Sequence, residues 1–494
     1  MTRPAGGSRR TFGEPDKAGF YGAAPMGGTC MAEYDLIVIG SGPAGRKAAI
    51  SASKLEKSVA VIERTTSVGG VCLHKGTIPS KALREAASYL SGVRQREVYG
   101  SAYRVKDRVT IQDLMFRTHR VTETEVNVVR DQLVRNYIDI VDGTAAFVDP
   151  HAVEVTSDDG TLRRLTAEKI IIAVGTKPAR PPDIEFDDRR IIDSDGLLCL
   201  ADIPRTMTFV GAGIVGTEYA TIFRTLGVRV TLIDGRQRPL DFVDDEIEDA
   251  LYYHMRDQEI TLRFGESVSS VRLTDNGKVE VRMESGKKLH SESLMFAAGR
   301  VGASEALHLD KVGIAVDQRG RIQVDEHYRT QLDHVYAVGD IIGFPSLAST
   351  SMEQGRLAAL HAFGQETEKT YTRLPFGIYT IPEIAMIGPT EQELTKESVP
   401  YETGIARFRE LSRTHISGGR TGMLKLLFNR QDLKLLAVHI LGEHATELVH
   451  IGQAVIEHDG SIEYLRDAVF NYPTLAEAYK IAALNGLNKL EGRQ

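Results

Sequence analysis

A glycine-rich strand–turn–helix that occurs twice, in the same register, constrains this chain more than any other feature. Tyr34 to Ile39 (YDLIVI) reads as a buried strand, GSGPAG at 40–45 opens a helix reaching about Lys54, and a second apolar run, SVAVIE, ends on Glu63. Thr208 to Val210 lead into GAGIVG at 211–216, then a helix, then VRVTLID ending on Asp234. The glycines and the terminal acid fall at the same offsets in both copies. Gly40 and Gly211 permit a tight turn, Gly42 and Gly213 let the backbone approach a pyrophosphate at the helix N-terminus, and Gly45 and Gly216 let helix pack on strand. Glu63 and Asp234 then stand where a carboxylate can hold a ribose diol. A single GxGxxG means little in a chain with 46 glycines. Two copies with matching strands, helices and acids predict two dinucleotide sites on an α/β scaffold.

Composition narrows the setting. With 494 residues, 42% of them apolar, the chain has room for about three domains, and a net charge of -7 argues against nucleic acid as a partner. No run of ~18 consecutive apolar residues is present, so no membrane span is expected. Cys30, Cys72 and Cys199 are too few and too scattered for a disulfide framework, and no C-x-x-C suggests a metal; a reducing, cytoplasmic location fits. Residues 1–32 are rich in Gly, Pro and Arg without a signal-like apolar run. They are expected to be a disordered extension, or to lie upstream of a start at Met31.

The segment VGGVCLHKGTIPSK, 68–81, resembles the active-site helix of the flavoprotein disulfide reductases, the class I pyridine nucleotide-disulfide oxidoreductases. In that family two cysteines form an electron-relaying dithiol. Here Cys72 is followed, five positions on, by Thr77, and a hydroxyl can neither form a disulfide nor donate two electrons. Electrons entering a bound flavin would have to leave by another route, and the simplest is a second nicotinamide nucleotide. Cys72 without its partner reads as a buried small hydrophobe rather than a reactive thiol.

The resemblance implies two Rossmann-like dinucleotide-binding domains, for FAD and for NAD(P), plus a C-terminal α+β dimerisation domain. The expected boundaries are 33–178 and 301–370 for the FAD domain, 179–300 for the NAD(P) domain inserted in it, and 371–494 for the interface domain. It places FAD against Gly40, Gly42, Gly45, Glu63, Arg64, Gly69, Gly70, Val71, Cys72 and Gly143. The strands IIIAVGTKP and HVYAVGD add Gly175, Gly339 and Asp340, the last to the flavin ribitol, and Ala348 follows. NAD or NADP is assigned to Gly211, Gly213, Gly216, Asp234, Arg236, Arg238 and Gly299. Asp234 would hold a ribose 2′-hydroxyl and repel a 2′-phosphate, whereas Arg236 and Arg238 could pair with that phosphate.

The resemblance also implies that Lys81, in the PSK context, lies beside flavin N5 and pairs with Glu218 of GTEYA. A cation there stabilises the charge that arrives with hydride. Thr77 shares the helix face of Lys81; its hydroxyl either hydrogen-bonds a flavin edge or nicotinamide amide, or is inert filler. In NYPTLAEAYK, 471–480, Tyr472 replaces the histidine that serves the family's thiols, and His439, His444 and His450 read as structural. FGIYTIPEIAMIG and FNYPTLAEAYKIAALNGLN resemble the family members that exchange hydride between pyridine nucleotides. The expected function is therefore reversible, ping-pong hydride transfer between NADPH and NAD⁺ through FAD, with catalytic residues Lys81, Glu218 and Thr77, in a homodimer or higher homo-oligomer. An NAD(P)H oxidase, diaphorase or quinone reductase on the same scaffold is the alternative.

Overall fold

In the computed structural model the described residues are 33–100, 103, 105–106, 108–367, 373–419 and 421–492. The expected extension at 1–32, with Cys30 and Met31, and the expected start of the last domain at 371 lie outside them. Both glycine-rich repeats form parallel units: Tyr34–Ile39, Pro43–Ser53 and Val59–Glu63 in one, Thr206–Val210, Ile214–Thr225 and Arg229–Asp234 in the other. Leu36, Ile37 and Val38 are fully buried, the signature of a parallel strand covered on both faces.

The likeness of the repeats extends well beyond the motif. One sheet runs Asp139–Asp142, Val59–Glu63, Tyr34–Ile39, Leu162–Ile172, Val335–Ala337; the other runs Thr261–Phe264, Arg229–Asp234, Thr206–Val210, Ser293–Phe296, Ile191–Asp193, all neighbours parallel. Each unit also carries three antiparallel strands before its last crossover, Thr144–Asp149 to Leu162–Ile172 in the first and Val268–Leu273 to Lys288–Ser291 in the second. The glycine spacing has a steric cause. A Cβ on Gly45 would stand 1.9 Å from the Gly40 carbonyl oxygen, and one on Gly216 would stand 1.8 Å from that of Gly211. Gly40 and Gly211 themselves have φ of +103° and +99°, where a side chain is strained.

Helix Pro43–Ser53 buries Ala44, Ala48, Ala49 and Ala52, in one core with Leu357, Ala358, Ala359 and Ala362 of helix Ala348–Ala362. The crossing is at backbone distance, since a Cβ on Gly355 would meet the Ala44 carbonyl oxygen at 2.1 Å. The C-terminal part is a five-stranded antiparallel sheet in the order Phe376–Ile378, Glu383–Ile387, Leu435–Gly442, Gly422–Asn429, Tyr401–Arg407. Helices Ala445–Glu457 and Glu477–Leu490 share its core. Among the described residues no helix is long and apolar enough to cross a membrane, and no cluster of His, Cys, Asp and Glu could hold a metal.

A buried charge cluster fastens the second nucleotide unit to this sheet. Lys425 is 1% exposed and lies 2.8 Å from Asp244, itself fully buried, and 3.2 Å from Glu246, with Glu391 also in contact. Asp244 accepts the N–H of Glu246 and, at 3.1 Å, that of Glu391, so one carboxylate caps helices in two domains. Burial alone would lower the Lys425 ammonium, but the Asp244 and Glu391 carboxylates push it up to about 12. Its contribution to stability is thus full below the unfolded lysine pKa of about 10.4 and lost as pH rises through about 12. Lys425→Met, which strands Asp244, should cost about 3–5 kcal/mol in urea unfolding. An unchanged midpoint would show that the cluster does not hold these units together.

Candidate active site

A cavity of about 690 Å³ opens where the two nucleotide units and the C-terminal sheet meet. Its floor is the first glycine-rich turn. Helix Pro43–Ser53 starts at Gly42 without a side-chain cap, so its first-turn N–H groups and the positive end of its dipole are open to an anion. A Cβ on Gly42 would meet nothing within 4 Å, while one on Gly70 would touch the Gly42 Cα at 2.9 Å, so two glycine backbones line the floor together. Ser41 braces them: its hydroxyl accepts the Gly69 N–H at 2.8 Å and donates to Glu63 at 2.6 Å. The Glu63 carboxylate also takes the Ser41 N–H and both donors of Thr65, all within 3.1 Å.

Asp340 lines the opposite wall. Burial raises its carboxyl, with Arg300 opposing, and its nearest donors are distant, Ser351 at 3.4 Å and Thr176 at 3.5 Å. A buried carboxylate so loosely held suits a ligand rich in hydroxyl donors. Uncapped N–H groups, two acids and a mixed apolar wall together fit a dinucleotide with a sugar-alcohol linker, as FAD has. Arg64, Val71, Gly143, Gly175, Gly339 and Ala348 also border this space. Gly45 lies beneath the turn, against the Gly40 carbonyl, and is not among the residues that border this space.

At the redox end, helix Gly70–His74 leads into helix Thr77–Ser91. Cys72 and Thr77 both line the cavity and are within hydrogen-bond reach of each other; burial pushes the Cys72 thiol up, against weaker opposing effects of Thr77 and Arg46. One turn on, the Lys81 ammonium donates to Glu218 at 2.7 Å. The other oxygen of Glu218 accepts the backbone N–H of Tyr379 at 2.8 Å, so a residue from each of three domains meets here.

The second nucleotide edge lies outside this cavity. Helix Ile214–Thr225 starts at Gly213, again without a side-chain cap. Asp234 accepts the Ala212 N–H at 2.7 Å and is clamped by Arg236, whose Nε and Nη2 each lie at 3.0 Å. Burial alone would raise this carboxyl, but the Arg236 guanidinium, with the N–H groups of Arg236 and Ala212, holds it below the usual range. Arg238 is not brought to Asp234. It is paired with Glu248 at 2.7 Å, Asp249 at 3.1 Å and Asp245 at 3.2 Å on helix Asp245–Asp257. Gly299, with φ of +92°, lies three residues beyond strand Ser293–Phe296, and its carbonyl accepts the Ala179 N–H.

Several cavity residues escape a motif search. Arg300 is fixed by two 2.8 Å hydrogen bonds to Thr176; its only sequence signal is its place after Gly299. Tyr379, Phe376, Thr446 and His450 reach the cavity from the C-terminal sheet and its helix. Of these, His450 is among the histidines read as structural. Tyr472 is 64% exposed, hydrogen-bonds Ser412 at 2.6 Å, and does not border the cavity of its own chain. The Cys72–Thr77 contact makes a direct prediction. Thr77→Cys should form a disulfide with Cys72, seen as two extra electron equivalents per chain in an anaerobic dithionite titration; unchanged stoichiometry would mean that the two side chains do not meet.

Residues 34–355 match the family described as pyridine nucleotide-disulphide oxidoreductase, and 374–483 match its dimerisation domain. The chain is 55% identical to a soluble pyridine nucleotide transhydrogenase of Mycobacterium bovis (BCG Pasteur), over 93% of this chain and 98% of that one. It is 43% identical to the protein of that name from Colwellia psychrerythraea, over 93% and 99%. Among solved structures, the HOCl-induced flavoprotein disulfide reductase RclA of Escherichia coli superposes with a TM-score of 0.82 at 25% identity, covering 91% of this chain and 99% of that one. LpdA of Mycobacterium tuberculosis has the same TM-score, identity and coverage. With both of its family segments matched in order along nearly the whole described chain, this protein belongs to the pyridine nucleotide-disulphide oxidoreductase family.

Proposed function

We propose that this chain is a soluble pyridine nucleotide transhydrogenase, exchanging hydride reversibly between NADPH and NAD⁺ by a ping-pong route through FAD. The observation that carries the reading is the Cys72–Thr77 pair beside Lys81 and Glu218: a threonine stands in the cavity at the position where the family's second sulfur is expected. The names of relatives at 55% and 43% identity support it. FAD, when bound, supplies a centre that takes a hydride from one nicotinamide and returns it to another.

The chain's own residues bind, orient and balance charge. The open turn at Gly42 and the Gly70 backbone hold the pyrophosphate, and Glu63 and Asp340 hold the ribose and ribitol hydroxyls. Lys81 offers a positive charge at the redox end, and Glu218 fixes its direction. Without a dithiol no thiol proton has to be moved, which agrees with tyrosine at position 472. At the second unit, NADP(H) would draw Arg236 from Asp234 to its 2′-phosphate, whereas NAD(H) would offer its 2′-hydroxyl to Asp234. A single edge then serves both nucleotides. The dimerisation-domain match supports a homodimer.

The primary test is to mix the FAD-loaded protein with NADPH and thio-NAD⁺ and follow reduced thio-NAD⁺ with no disulfide present. Transfer with parallel double-reciprocal lines is expected; flavin bleaching by NADPH without transfer would mean that oxygen or a quinone is the acceptor. Lys81→Met should slow flavin reduction by NADPH about 10²-fold while nucleotide affinity stays within a few-fold, read by stopped flow. Asp234→Asn, which releases Arg236, should raise the NADPH-to-NADH ratio of kcat/KM about tenfold. An unmoved ratio removes Asp234 from nucleotide choice.

A further inference from the structure

Three domains converge on the tripeptide Tyr379-Thr380-Ile381, and only part of that convergence is needed to hold the domains together. The Tyr379 N–H goes to Glu218 at 2.8 Å and the Ile381 N–H to Thr221 at 3.1 Å, both on the second glycine-rich helix. The Thr380 carbonyl accepts from Arg84 Nε at 3.1 Å, and Arg84 reaches Glu383 at 3.1 Å, tying the same tripeptide to the helix that carries Lys81. These are backbone contacts or contacts of other side chains. The Tyr379 side chain contributes something separate: its ring borders the cavity, and the Lys81 ammonium stands 4.8 Å from the ring centroid. Lys81 is thereby held between a carboxylate on one side and an aromatic face on another.

We infer that the aromatic ring of Tyr379 is a positioning element for Lys81, keeping its ammonium directed into the cavity where hydride is exchanged. The physical argument is competition. Glu218 alone would draw the ammonium onto its own oxygens and away from the cavity. A ring quadrupole attracts the same cation more weakly but from another direction, without taking a lone-pair hydrogen bond from it, so it biases where the N–H bonds not used by Glu218 point. Burial pushes the phenol above its ordinary range, with the Thr446 hydroxyl opposing, so the ring meets Lys81 as a neutral phenol and not as a phenolate. Its hydroxyl lies in hydrogen-bond reach of Thr446, which orients the ring but leaves the ring face as the part that meets Lys81.

The inference rests on the reading that FAD binds this cavity, and its test uses only the first half-reaction. Full-length, FAD-loaded Tyr379→Leu and Tyr379→Phe would be compared with the parent chain by stopped-flow bleaching of the flavin with NADPH and by redox-dye equilibration for the flavin midpoint potential. The expected result for Tyr379→Leu is a limiting rate about tenfold lower at unchanged NADPH dissociation constant, with a more negative potential. Tyr379→Phe should stay within about twofold in rate and keep the potential. In a Lys81→Met background, Tyr379→Leu should change neither quantity further.

Parent-like rate and potential in Tyr379→Leu would overturn the inference. So would a Tyr379→Phe as impaired as Tyr379→Leu, because the hydroxyl would then be the active part. If Tyr379→Leu fails to retain FAD, Tyr379→Met, which fills the space with no π face, carries the same comparison. Normal flavin reduction with no delivery to thio-NAD⁺ counts against transhydrogenation and leaves this inference standing.

Discussion

The ion pair between Lys81 and Glu218 is the interaction on which the rest of this architecture depends. It joins helices from two nucleotide units across a shared cavity, with the Glu218 side chain only 6% exposed. A carboxylate this buried must be paired, and each oxygen has one partner, the Lys81 ammonium and the Tyr379 N–H. The pair can form only if the second unit is seated on the first with its helix in register. The Lys425 cluster and the Tyr379–Ile381 segment supply that seating from the third domain. Its worth is positional more than energetic: a lysine still about a quarter exposed gains little from one carboxylate, but it acquires a direction.

The two glycine-rich units solve the same steric problem and then diverge at one position. In each, the residue after the first glycine donates its N–H to the acid that ends the second strand, Ser41 to Glu63 and Ala212 to Asp234. Two residues beyond the acid the copies differ. Thr65 gives Glu63 two neutral donors, whereas Arg236 gives Asp234 a cation with its own backbone N–H. An acid held only by neutral donors would suit a nucleotide that stays. A clamped acid whose partner can itself bind phosphate suits nucleotides that come and go.

Much of the fold was legible because its strongest constraint is steric and local. A helix that crosses its own preceding turn at under 2 Å of Cβ clearance has to carry glycine, and Gly45 and Gly216 announce that in any reading of the chain. The strand sequences, apolar on both faces, announce a covered parallel sheet. Cys72 and Thr77 were legible because they lie five positions apart, at the junction of two successive helices. Arg238 was not: its chain position beside Asp234 suggested the nucleotide edge, but three acids at the start of helix Asp245–Asp257 lie closer to it. Arg300 and Tyr379 were invisible for a related reason, since each acts on residues more than a hundred positions away.

The sequence by itself determined the duplicated nucleotide unit, the order of its domains and the missing sulfur, because these depend on residue size and type within a few turns of chain. Lys81 and Glu218 were expected as a pair from the resemblance, but only the tertiary structure decided the other charge partners. Lys81 also meets the Tyr379 ring, Lys425 finds Asp244, and Arg236 takes Asp234 while Arg238 is drawn to Glu248. Attraction between charges falls off slowly with distance and ignores chain order, so any of several acids could have answered each base. Burial selects among them, because an acid taken out of water, such as Asp244, Glu218 or Glu248, needs a partner far more than one left in it.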